Sequence, residues 1–318
     1  MGSFMRVLVT GGAGFIGSNF VEMALTDQFP AISSVLVLDK LTYAGKLSNL
    51  VSVANNPNFE FIQGDICDVE LVNKLAANID AIINFAAESH VDRSIEDSSE
   101  FIRTNILGTQ VLLDAAKNQK VDKFVQVSTD EVYGSILAGS WHENEPLLPN
   151  SPYSASKAAA DLLVRSYFVT HGLNVSITRC SNNFGPKQDP EKLIPNFILK
   201  LNEGKNVPVY GDGLNVRDWL FVKDHCQGIY LTLTKGLAGE IYNIGGGTEL
   251  TNLDLTTIIL KIFKKDESFI DFVPDRLGHD RRYSVNCSKI RKLGYISSAD
   301  FEGNLKRTVD WYLNSHVK

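Results

Sequence analysis

Short apolar runs alternate with helical patterns along most of the first two-thirds of the chain. Runs rich in Val, Leu, Ile and Phe predict strands that are buried on both faces, at 6–10, 34–39, 59–63, 81–86, 123–128 and 174–179. Between them, apolar residues at helical spacing predict helices near 15–27, 69–77, 98–119 and 152–171. Strand–helix alternation of this kind predicts the α/β class, with a doubly wound parallel sheet covered by helices on both sides.

The alternation loosens in the last third of the sequence. Prolines become frequent between 186 and 208, and glycine clusters at 211–213 and 245–247 mark turns. A chain of 318 residues is long enough for two lobes, and we therefore predict two regions. Residues 1–185 would form the large sheet domain. Residues 186–318 would form a smaller C-terminal substrate-binding lobe that is partly interleaved with the first.

Composition and charge exclude several classes of protein. The net charge of −6 argues against a nucleic-acid surface, which needs clustered Lys and Arg. No apolar run approaches the roughly 18 residues of a membrane helix, and the first strand begins so early that we expect no signal peptide. The four cysteines are far apart in sequence and the six histidines lack metal-ligand spacing. We therefore expect no disulfide, no bound metal and a cytoplasmic location.

A glycine-rich segment, VTGGAGFIG at 9–17, follows the first predicted strand and opens the first predicted helix. Gly12-x-Gly14-x-x-Gly17 matches the dinucleotide-binding fingerprint, in which glycines let a pyrophosphate approach a helix N-terminus. Gly11, Gly14 and Gly17 fit the same segment at a second spacing. Asp39 ends the second strand, where a carboxylate binds both ribose hydroxyls and repels a 2′-phosphate. The pattern predicts a Rossmann-type domain that binds NAD rather than NADP, a preference that Lys40 weakens slightly. The alternative is a glycine-rich turn followed by an unrelated acid.

Tyr153 and Lys157 lie one helical turn apart in PYSASK, 152–157, where Pro152 suits the start of a helix. A phenol has a pKa near 10, so it acts as a base at neutral pH only if its pKa falls by about 3 units, or roughly 4 kcal/mol. A neighbouring ammonium and a positively charged nicotinamide could together supply that stabilisation. The pair is therefore a candidate for removing a hydroxyl proton while hydride leaves the same carbon. The alternative is an amphipathic helix that carries Tyr and Lys by chance.

Together these segments resemble the extended short-chain dehydrogenase/reductase family over essentially the full length of the chain. The general match rests on the glycine turn, the segment Asn105-x-x-Gly108-Thr109, Thr129 and the Tyr153/Lys157 pair. Within that family the chain looks most like the dTDP-glucose 4,6-dehydratases. The stretches that carry this closer resemblance are DKLTYAG (39–45), AAESHVDRSI (86–95), STDEVYG (128–134), PYSASK (152–157), RCSNNFGP (179–186), PEKLIP (190–195) and GHDRRY (278–283).

The resemblance gives a role to two adjacent acids, Asp130 and Glu131, at the end of the fifth predicted strand. In these dehydratases hydride leaves C4 of the hexose, water is lost across C5 and C6, and hydride returns to C6. The resemblance implies Asp130 as the acid and Glu131 as the base of the water loss. It implies Thr129 as the partner of the C4 hydroxyl, beside Tyr153 and Lys157. An acid at 130 needs a raised pKa, which burial beside another carboxylate would favour. The alternative is a solvated Asp–Glu turn.

The resemblance also implies which residues contact the cofactor and the substrate. Those implied for NAD, besides Tyr153 and Lys157, are Gly11, Gly14, Phe15, Ile16, Gly17, Asp39, Lys40, Leu41, Thr42, Asp65, Ile66, Phe85, Ala86, Ala87, Ser89, Thr104 and Asn183. Those implied for a nucleotide sugar are Ser89, Thr129, Asn182, Lys192, Leu193, Pro208, Val209, Tyr210, Arg217, Asn252, Arg276 and His279. Arginine and lysine suit a pyrophosphate, although any one arginine is more often a surface ion pair. Leu277 replaces a proline that is usual in the family.

Other functions stay open at this point. The chain could instead be a UDP-glucose 4,6-dehydratase. Its substrate carries uracil in place of thymine, and the two nucleobases differ by one methyl group, which is worth only about 1 kcal/mol in a pocket. A nucleotide-sugar 4-epimerase would use the same fold and NAD, but it has no use for Asp130 and Glu131. A sugar-nucleotide-binding regulator without activity would not need the reactive residues at all. The resemblance further implies a homodimer, in which the 98–119 and 152–171 helices of two copies form a four-helix interface.

Overall fold

Seven parallel strands form the central sheet in the part of the chain that the computed structural model describes, residues 4–275 and 278–315. The described strands, in chain order, are β1 (Met5–Thr10), β2 (Ile32–Asp39), β3 (Phe59–Gln63), β4 (Ala81–Asn84), β5 (Lys123–Thr129), β6 (Val175–Cys180), β7 (Asn182–Phe184), β8 (Val207–Tyr210), β9 (Val216–Phe221), β10 (Glu240–Ile244), β11 (Glu249–Thr251) and β12 (Ile270–Val273). The large sheet has the order β10-β6-β5-β4-β1-β2-β3.

Helices pack on both faces of this sheet. They are α1 (Phe15–Ala24), α2 (Val69–Ala76), α3 (Val91–Glu96), α4 (Ser99–Phe101), α5 (Thr109–Gln119), α6 (Pro152–His171), α7 (Leu193–Asn202), α8 (Val222–Lys235), α9 (Asn252–Ile262), α10 (Ser288–Arg291) and α11 (Phe301–Ser315). Successive side chains of β1 alternate between two apolar cores. Val7 and Val9 join the core with α1 and α8, whereas Leu8 joins the core with α2, α5 and α6. The prediction of a doubly wound α/β fold of the Rossmann type is therefore confirmed.

The six predicted strands all form, with ends that differ by a few residues. The strand in the run at 81–86 is shorter than we predicted. It ends at Asn84, and the next two residues, Phe85 and Ala86, line a cavity at the edge of the sheet. A seventh strand, β10, comes from the last third of the chain and pairs in parallel with β6. The division of the chain at residue 185 stays a prediction.

The helix predicted over 98–119 is not one regular α-helix. The short α4 leads into a π-helical stretch, Ile102–Gly108, and only then into α5. Asn105 lies in this stretch and its amide holds the backbone of Glu88 in two hydrogen bonds, at 2.9 and 3.0 Å. The same amide donates to Ser156 Oγ on α6 at 2.8 Å. The local widening of the helix therefore lies where one side chain joins the cavity wall to α6.

The strand order reverses next to β1, which pairs with β2 on one side and β4 on the other. In an open parallel sheet, ligands bind in the crevice beyond the carboxyl ends of the strands at this point. The second wall of the crevice comes from later segments, including a small sheet of order β11-β9-β7 and the pair β12-β8. Among the described residues, no helix has both the length and the apolar character that a membrane span would require.

Candidate active site

A cavity of about 490 Å³ opens at the carboxyl ends of the central strands, within the usual size range of ligand pockets. The turns after β1, β2, β4 and β5 line one side, and residues from α6 lie beside them. The segment before and within α7, with residues of β8 and β9, lines the other side. The cavity thus joins parts of the chain that lie far apart in sequence.

The glycine turn after β1 leaves no room for side chains. Gly11 has a φ of +69°, and a Cβ atom there would lie 2.6 Å from the backbone nitrogen of Ala86. A Cβ on Gly17 would collide with the carbonyl oxygen of Gly11. Helix α1 begins after Gly14 without a side-chain cap, so N–H groups of its first turn are available to an anion in the cavity.

Asp39 ties this glycine turn to the end of β2. Its Oδ2 accepts a hydrogen bond from the backbone N–H of Ala13 at 2.9 Å, and its Oδ1 accepts from that of Leu41 at 2.8 Å. Burial raises the pKa of the Asp39 carboxyl, and the two N–H donors oppose that shift. Each oxygen keeps acceptor capacity toward the cavity, so the carboxyl could also accept bonds from two neighbouring hydroxyls.

The segment that ends β5 brings three reactive groups to the cavity. Thr129 ends the strand, and its Oγ1 accepts from the backbone N–H of Glu131 at 3.3 Å. Asp130 is 2% exposed, and its Oδ2 has no hydrogen-bond partner within the described residues. Burial, followed by the charges of Glu131 and Asp218, raises the pKa of the Asp130 carboxyl well above its ordinary value. A buried carboxyl of this kind can hold a proton and donate it.

Tyr153 and Lys157 lie in the first two turns of α6. The helix begins with a capping box between Ser151 and Ser154 and with a proline at its first position, so its start is fixed locally. The phenol of Tyr153 hydrogen bonds to Thr129. The ammonium of Lys157 donates to the carbonyl oxygen of Val127 at 2.7 Å.

The protein groups around Tyr153 favour its neutral phenol. Burial raises the pKa of this phenol well above its ordinary value, and the charge of Glu131 adds to the shift. Burial also lowers the pKa of Lys157, although the charge of Asp161 opposes this. On balance, the protein's own groups therefore raise the pKa of Tyr153. The predicted lowering requires a cation that binds in the cavity.

The opposite wall carries donors suited to an anionic ligand. Lys192 reaches across the cavity and donates to the carbonyl oxygen of Ser89 at 3.1 Å. Arg217 donates to the carbonyl oxygen of Asp280 at 2.8 Å and lies over the ring of Tyr283, 4.5 Å from its centroid. These contacts fix the guanidinium at the cavity wall, where planar donors can bind a pyrophosphate.

Most of the residues proposed from sequence line this one cavity, and three do not. Leu41 lies two residues after β2 and outside the cavity lining, and its backbone N–H donates to Asp39 Oδ1. Val209 is 2% exposed and packs in the apolar core below the cavity wall. Arg276 lies outside the described residues. All other predicted catalytic, cofactor and substrate residues line the cavity, and their individual roles stay predictions.

Several polar groups of the cavity were not proposed from the sequence. The imidazole of His90 lies 3.0 Å from a carboxylate oxygen of Glu191. Buried polar atoms that lack a partner within the described residues lie at the wall in His90, Ser128, Gln188, Asn196 and Trp219, and also in two residues that the sequence did predict, Asp130 and Asn182. Unpaired buried polar atoms are costly, so their concentration here indicates a polar ligand. A buried tryptophan needs a partner for its N–H, which is the one sequence signal that could have marked Trp219.

No cluster of three or more His, Cys, Asp or Glu side chains suited to a metal ion occurs in residues 4–275 and 278–315.

The shape and polar groups of the cavity fit a dinucleotide. The glycine turn leaves space for a diphosphate at α1, and Asp39 offers acceptors for ribose hydroxyls beside it.

Comparisons with known proteins agree with this geometry. Residues 8–308 match the model of the family described as GDP-mannose 4,6 dehydratase. A dTDP-glucose 4,6-dehydratase from Actinoplanes is 54% identical over 312 residues, which cover 97% of this chain and 98% of the relative. The crystal structure of DesIV, a dTDP-glucose 4,6-dehydratase from Streptomyces venezuelae with NAD and dTDP bound, superimposes with a TM-score of 0.97. It is 54% identical and the match covers 98% of both chains.

A second kind of enzyme shares the fold at lower identity. The UDP-glucuronic acid 4-epimerase of Bacillus cereus, in complex with UDP-glucuronic acid and NAD, superimposes with a TM-score of 0.92. It is 30% identical, and the match covers 98% of this chain and 100% of the epimerase. The chain belongs to the GDP-mannose 4,6 dehydratase family, and the recognition of the extended short-chain dehydrogenase/reductase type from its sequence is confirmed.

Proposed function

We propose that this protein is an NAD-dependent dTDP-glucose 4,6-dehydratase, a hydro-lyase that converts dTDP-glucose to dTDP-4-keto-6-deoxyglucose. One observation carries this proposal more than any other. A buried carboxyl with a raised pKa, Asp130, lies beside Glu131 in the cavity that also contains the hydrogen-bonded pair Thr129 and Tyr153. Relatives with 54% identity over nearly the whole chain are dTDP-glucose 4,6-dehydratases, which supports the same reaction.

The residues of the first wall would hold the cofactor. The glycine turn and α1 would bind the diphosphate of NAD, Asp39 the adenosine ribose, and Asp65 and Ile66 the adenine. Phe85 to Ala87, Ser89, Thr104 and Asn183 would flank the nicotinamide half. When bound, NAD takes up a hydride from C4 of the hexose and returns it at C6.

Tyr153 and Thr129 serve the first step at C4. The phenolate of Tyr153 takes the proton of the C4 hydroxyl, and the Thr129 hydroxyl orients the two groups. Lys157 lies one turn further along α6, where its bond to Val127 fixes its position. An ammonium at this position would favour the phenolate of Tyr153 over the neutral phenol.

Asp130 and Glu131 serve the loss of water. The 4-keto group acidifies the proton on C5, which Glu131 removes, and Asp130 gives its proton to the departing C6 hydroxyl. One water leaves, and C5 and C6 are joined by a double bond. Glu131 returns its proton to C5 as hydride reaches C6, and the proton gained by Tyr153 replaces the one lost by Asp130. Protons and electrons balance over the cycle, and NAD ends as it began.

The second wall would bind the nucleotide. Lys192, Arg217 and Arg276 would supply cationic donors for the diphosphate, and Asn182, Asn252 and His279 neutral donors. The segment 208–210 and Leu193 would lie against the base. In this proposal residues 1–185 carry NAD and the catalytic groups, whereas residues 186–318 supply most of the nucleotide-sugar site, to which Ser89, Thr129 and Asn182 of the first region also belong.

The experiment that tests the function compares two substrates and reads product mass. Purified protein is incubated separately with dTDP-glucose and UDP-glucose. A 4,6-dehydratase lowers the mass of the nucleotide sugar by one water, whereas a 4-epimerase leaves the mass unchanged. Faster loss of water from dTDP-glucose is expected, and faster loss from UDP-glucose would favour the uracil nucleotide. Binding of both without any product would favour a regulator.

We also propose a homodimer and a cytoplasmic location. Large apolar side chains are exposed on the two helical segments that would meet in a four-helix interface, namely Ile102, Leu107, Leu162, Phe168 and Val169. Sedimentation of the wild type and of Leu162→Glu measures this, because a charge in the interface should shift the mass toward the monomer. The cysteines of the described residues are free thiols, which a reducing compartment preserves.

A further inference from the structure

A buried arginine lies behind the active-site cavity, and the reaction described above does not use it. Arg179, in β6, is 2% exposed. Its Nε donates to Asp161 Oδ2 on α6 at 2.9 Å, and the two side chains are 3% and 1% exposed. Its guanidinium carbon lies over the ring of Tyr133, 4.7 Å from the centroid. We call Arg179, Asp161 and Tyr133 the arginine cluster, and none of the three lines the cavity.

Each partner of Arg179 belongs to an element that carries catalytic groups. Asp161 lies two turns after Tyr153 and one turn after Lys157, on the same face of α6. Tyr133 is the last residue of the single 3₁₀ turn Asp130–Tyr133, which begins with the two carboxyls. Arg179 therefore contacts two elements with different catalytic groups. One is α6, which carries Tyr153 for the C4 step, and the other is the 3₁₀ turn, which carries the two carboxyls of the water loss.

Further contacts fix the position of the turn. The phenol of Tyr133 donates to Asn243 Oδ1 on β10 at 2.8 Å, and the ring stacks on Trp141 with centroids 6.0 Å apart. The backbone of Arg179 pairs with that of Ser128, one residue before Thr129. The arginine cluster thus connects β5, β6, β10, α6 and the 3₁₀ turn at one point.

Stability alone gives little reason for such a cluster. A buried ion pair loses hydration that its attraction only partly offsets, and apolar residues of similar volume often serve as well. A planar guanidinium that is paired along its edge and stacked on its face has, however, one allowed orientation. That property sets the distance and angle between its two partners.

We propose that Arg179 is a positioning residue that holds the Asp130–Tyr133 turn in register with α6, so that the acid and base act on the same sugar that Tyr153 has engaged. This inference rests on the proposed function. The C4 step needs Tyr153 and Thr129, whereas the water loss needs Asp130 and Glu131. A shift of the turn relative to α6 should therefore slow the water loss more than the C4 step. Reduced cofactor then accumulates during turnover.

The first test uses Arg179→Lys in the holoenzyme, because lysine keeps the charge but loses the planar fork and the stack. Rapid mixing with dTDP-glucose follows the absorbance of reduced nicotinamide, and product mass follows the loss of water. A displacement near 1 Å can cost about a hundredfold in rate, so we expect water loss to slow by about tenfold to a hundredfold and the C4 step by less than about threefold.

Tyr133→Leu is the second variant, since it removes the stack and the hydrogen bond to Asn243 and leaves the ion pair of Arg179 and Asp161 in place. It should cause the same accumulation of reduced cofactor. The matched control is Lys123→Met, which removes a buried cation at the opposite end of β5. Lys123 donates to Ser176 Oγ at 2.7 Å and to the carbonyl oxygen of Gly236 at 2.9 Å, remote from the cavity. It should lower stability without accumulation of reduced cofactor.

Thermal unfolding of each variant sets a temperature at which all are folded, and the kinetics are measured there. If both steps slow in equal proportion in Arg179→Lys and Tyr133→Leu, the positioning role is wrong. If Lys123→Met accumulates reduced cofactor to the same extent, the effect reflects lower stability and the inference also fails. Failure of the wild type to release water from dTDP-glucose would instead overturn the proposed function, so the two failures are distinct.

Discussion

Asp130 and Glu131 are adjacent in sequence, yet the fold gives their carboxyls different environments. Asp130 is 2% exposed, whereas Glu131 is only partly buried. Burial is the largest cause of the raised pKa of Asp130, and the charge of Glu131 is the next. Two carboxyls with different surroundings can divide the work of acid and base, as the proposed loss of water requires.

The buried Asp130 predicts a particular dependence of stability on pH. Its ordinary pKa is 3.8 and its pKa in the folded protein is well above that, so the folded state binds the proton more tightly than the unfolded state. Its contribution to stability is complete below pH 3.8 and is lost as the pH rises toward the folded pKa. The variant Asp130→Asn has no carboxyl at this position, so its stability should not fall in this way. Measured by urea unfolding, the free energy of unfolding of the variant should rise relative to that of the wild type as the pH rises. A difference that stays constant with pH would contradict this.

Glu131→Gln should nearly abolish the loss of water while NAD stays bound. The amide cannot take the C5 proton, and removal of a general base typically costs at least about a hundredfold. The measurement is formation of the 4-keto-6-deoxy product, with retained cofactor determined on the same sample. Near-normal formation of keto sugar by this variant would show that another group is the base.

Tyr153→Phe should block the reaction one step earlier. Without the phenol, nothing at that position takes the C4 hydroxyl proton, so the oxidation at C4 should slow by about a hundredfold or more. Stopped-flow absorbance of reduced nicotinamide after mixing with dTDP-glucose measures this step. Transient absorbance at the wild-type level would show that Tyr153 is not the base.

His225→Asn should make the protein less sensitive to acid. His225 is 0% exposed, its Nδ1 lies 2.9 Å from Asn183 Oδ1, and burial lowers its pKa from 6.5 to about 3. The unfolded state therefore binds the extra proton first as the pH falls below 6.5, and stability decreases. That loss is on the order of 3 kcal/mol at about pH 4. Urea unfolding of both proteins from neutral to acid pH checks this, and parallel curves would contradict it.

The central strands were predictable because local sequence determines them. The runs that become β1 and β4 are almost continuously apolar, as strands covered on both faces must be. β10 was missed because Glu240 and Asn243 interrupt its apolar character. Asn243 is fully buried only because Tyr133 and the carbonyl of Trp141 supply partners from distant segments.

The π-helical stretch was missed for a related reason. Nothing in the local spacing of 98–119 departs from an ordinary helix, and the hydrogen bonds of Asn105 to Glu88 and Ser156 are tertiary. Tertiary contacts of this kind override local propensity.

Motifs with fixed short spacing predicted which residues line the first wall of the cavity. Gly11 and Gly14 lie in the turn before α1 and Gly17 lies in the first turn of that helix, and Tyr153 and Lys157 share one helical face. Trp219 reaches the cavity through the parallel pairing of β9 with β7, which no local pattern reveals. The pairing of Arg179 with Asp161 is equally hidden, since neither the strand pattern at 174–179 nor the stretch RCSNNFGP gives Arg179 a partner.

The late position of β10 in the chain has a consequence for biosynthesis. Until residues 240–244 leave the ribosome, β6 remains an unpaired edge of the nascent sheet, and such edges invite association with other chains. Asn243 arrives on that same strand, so the phenol of Tyr133 gains its partner only then. Fragments that stop short of β10 should therefore be prone to aggregate, and the turn that begins with Asp130 should become ordered among the last parts of the sheet.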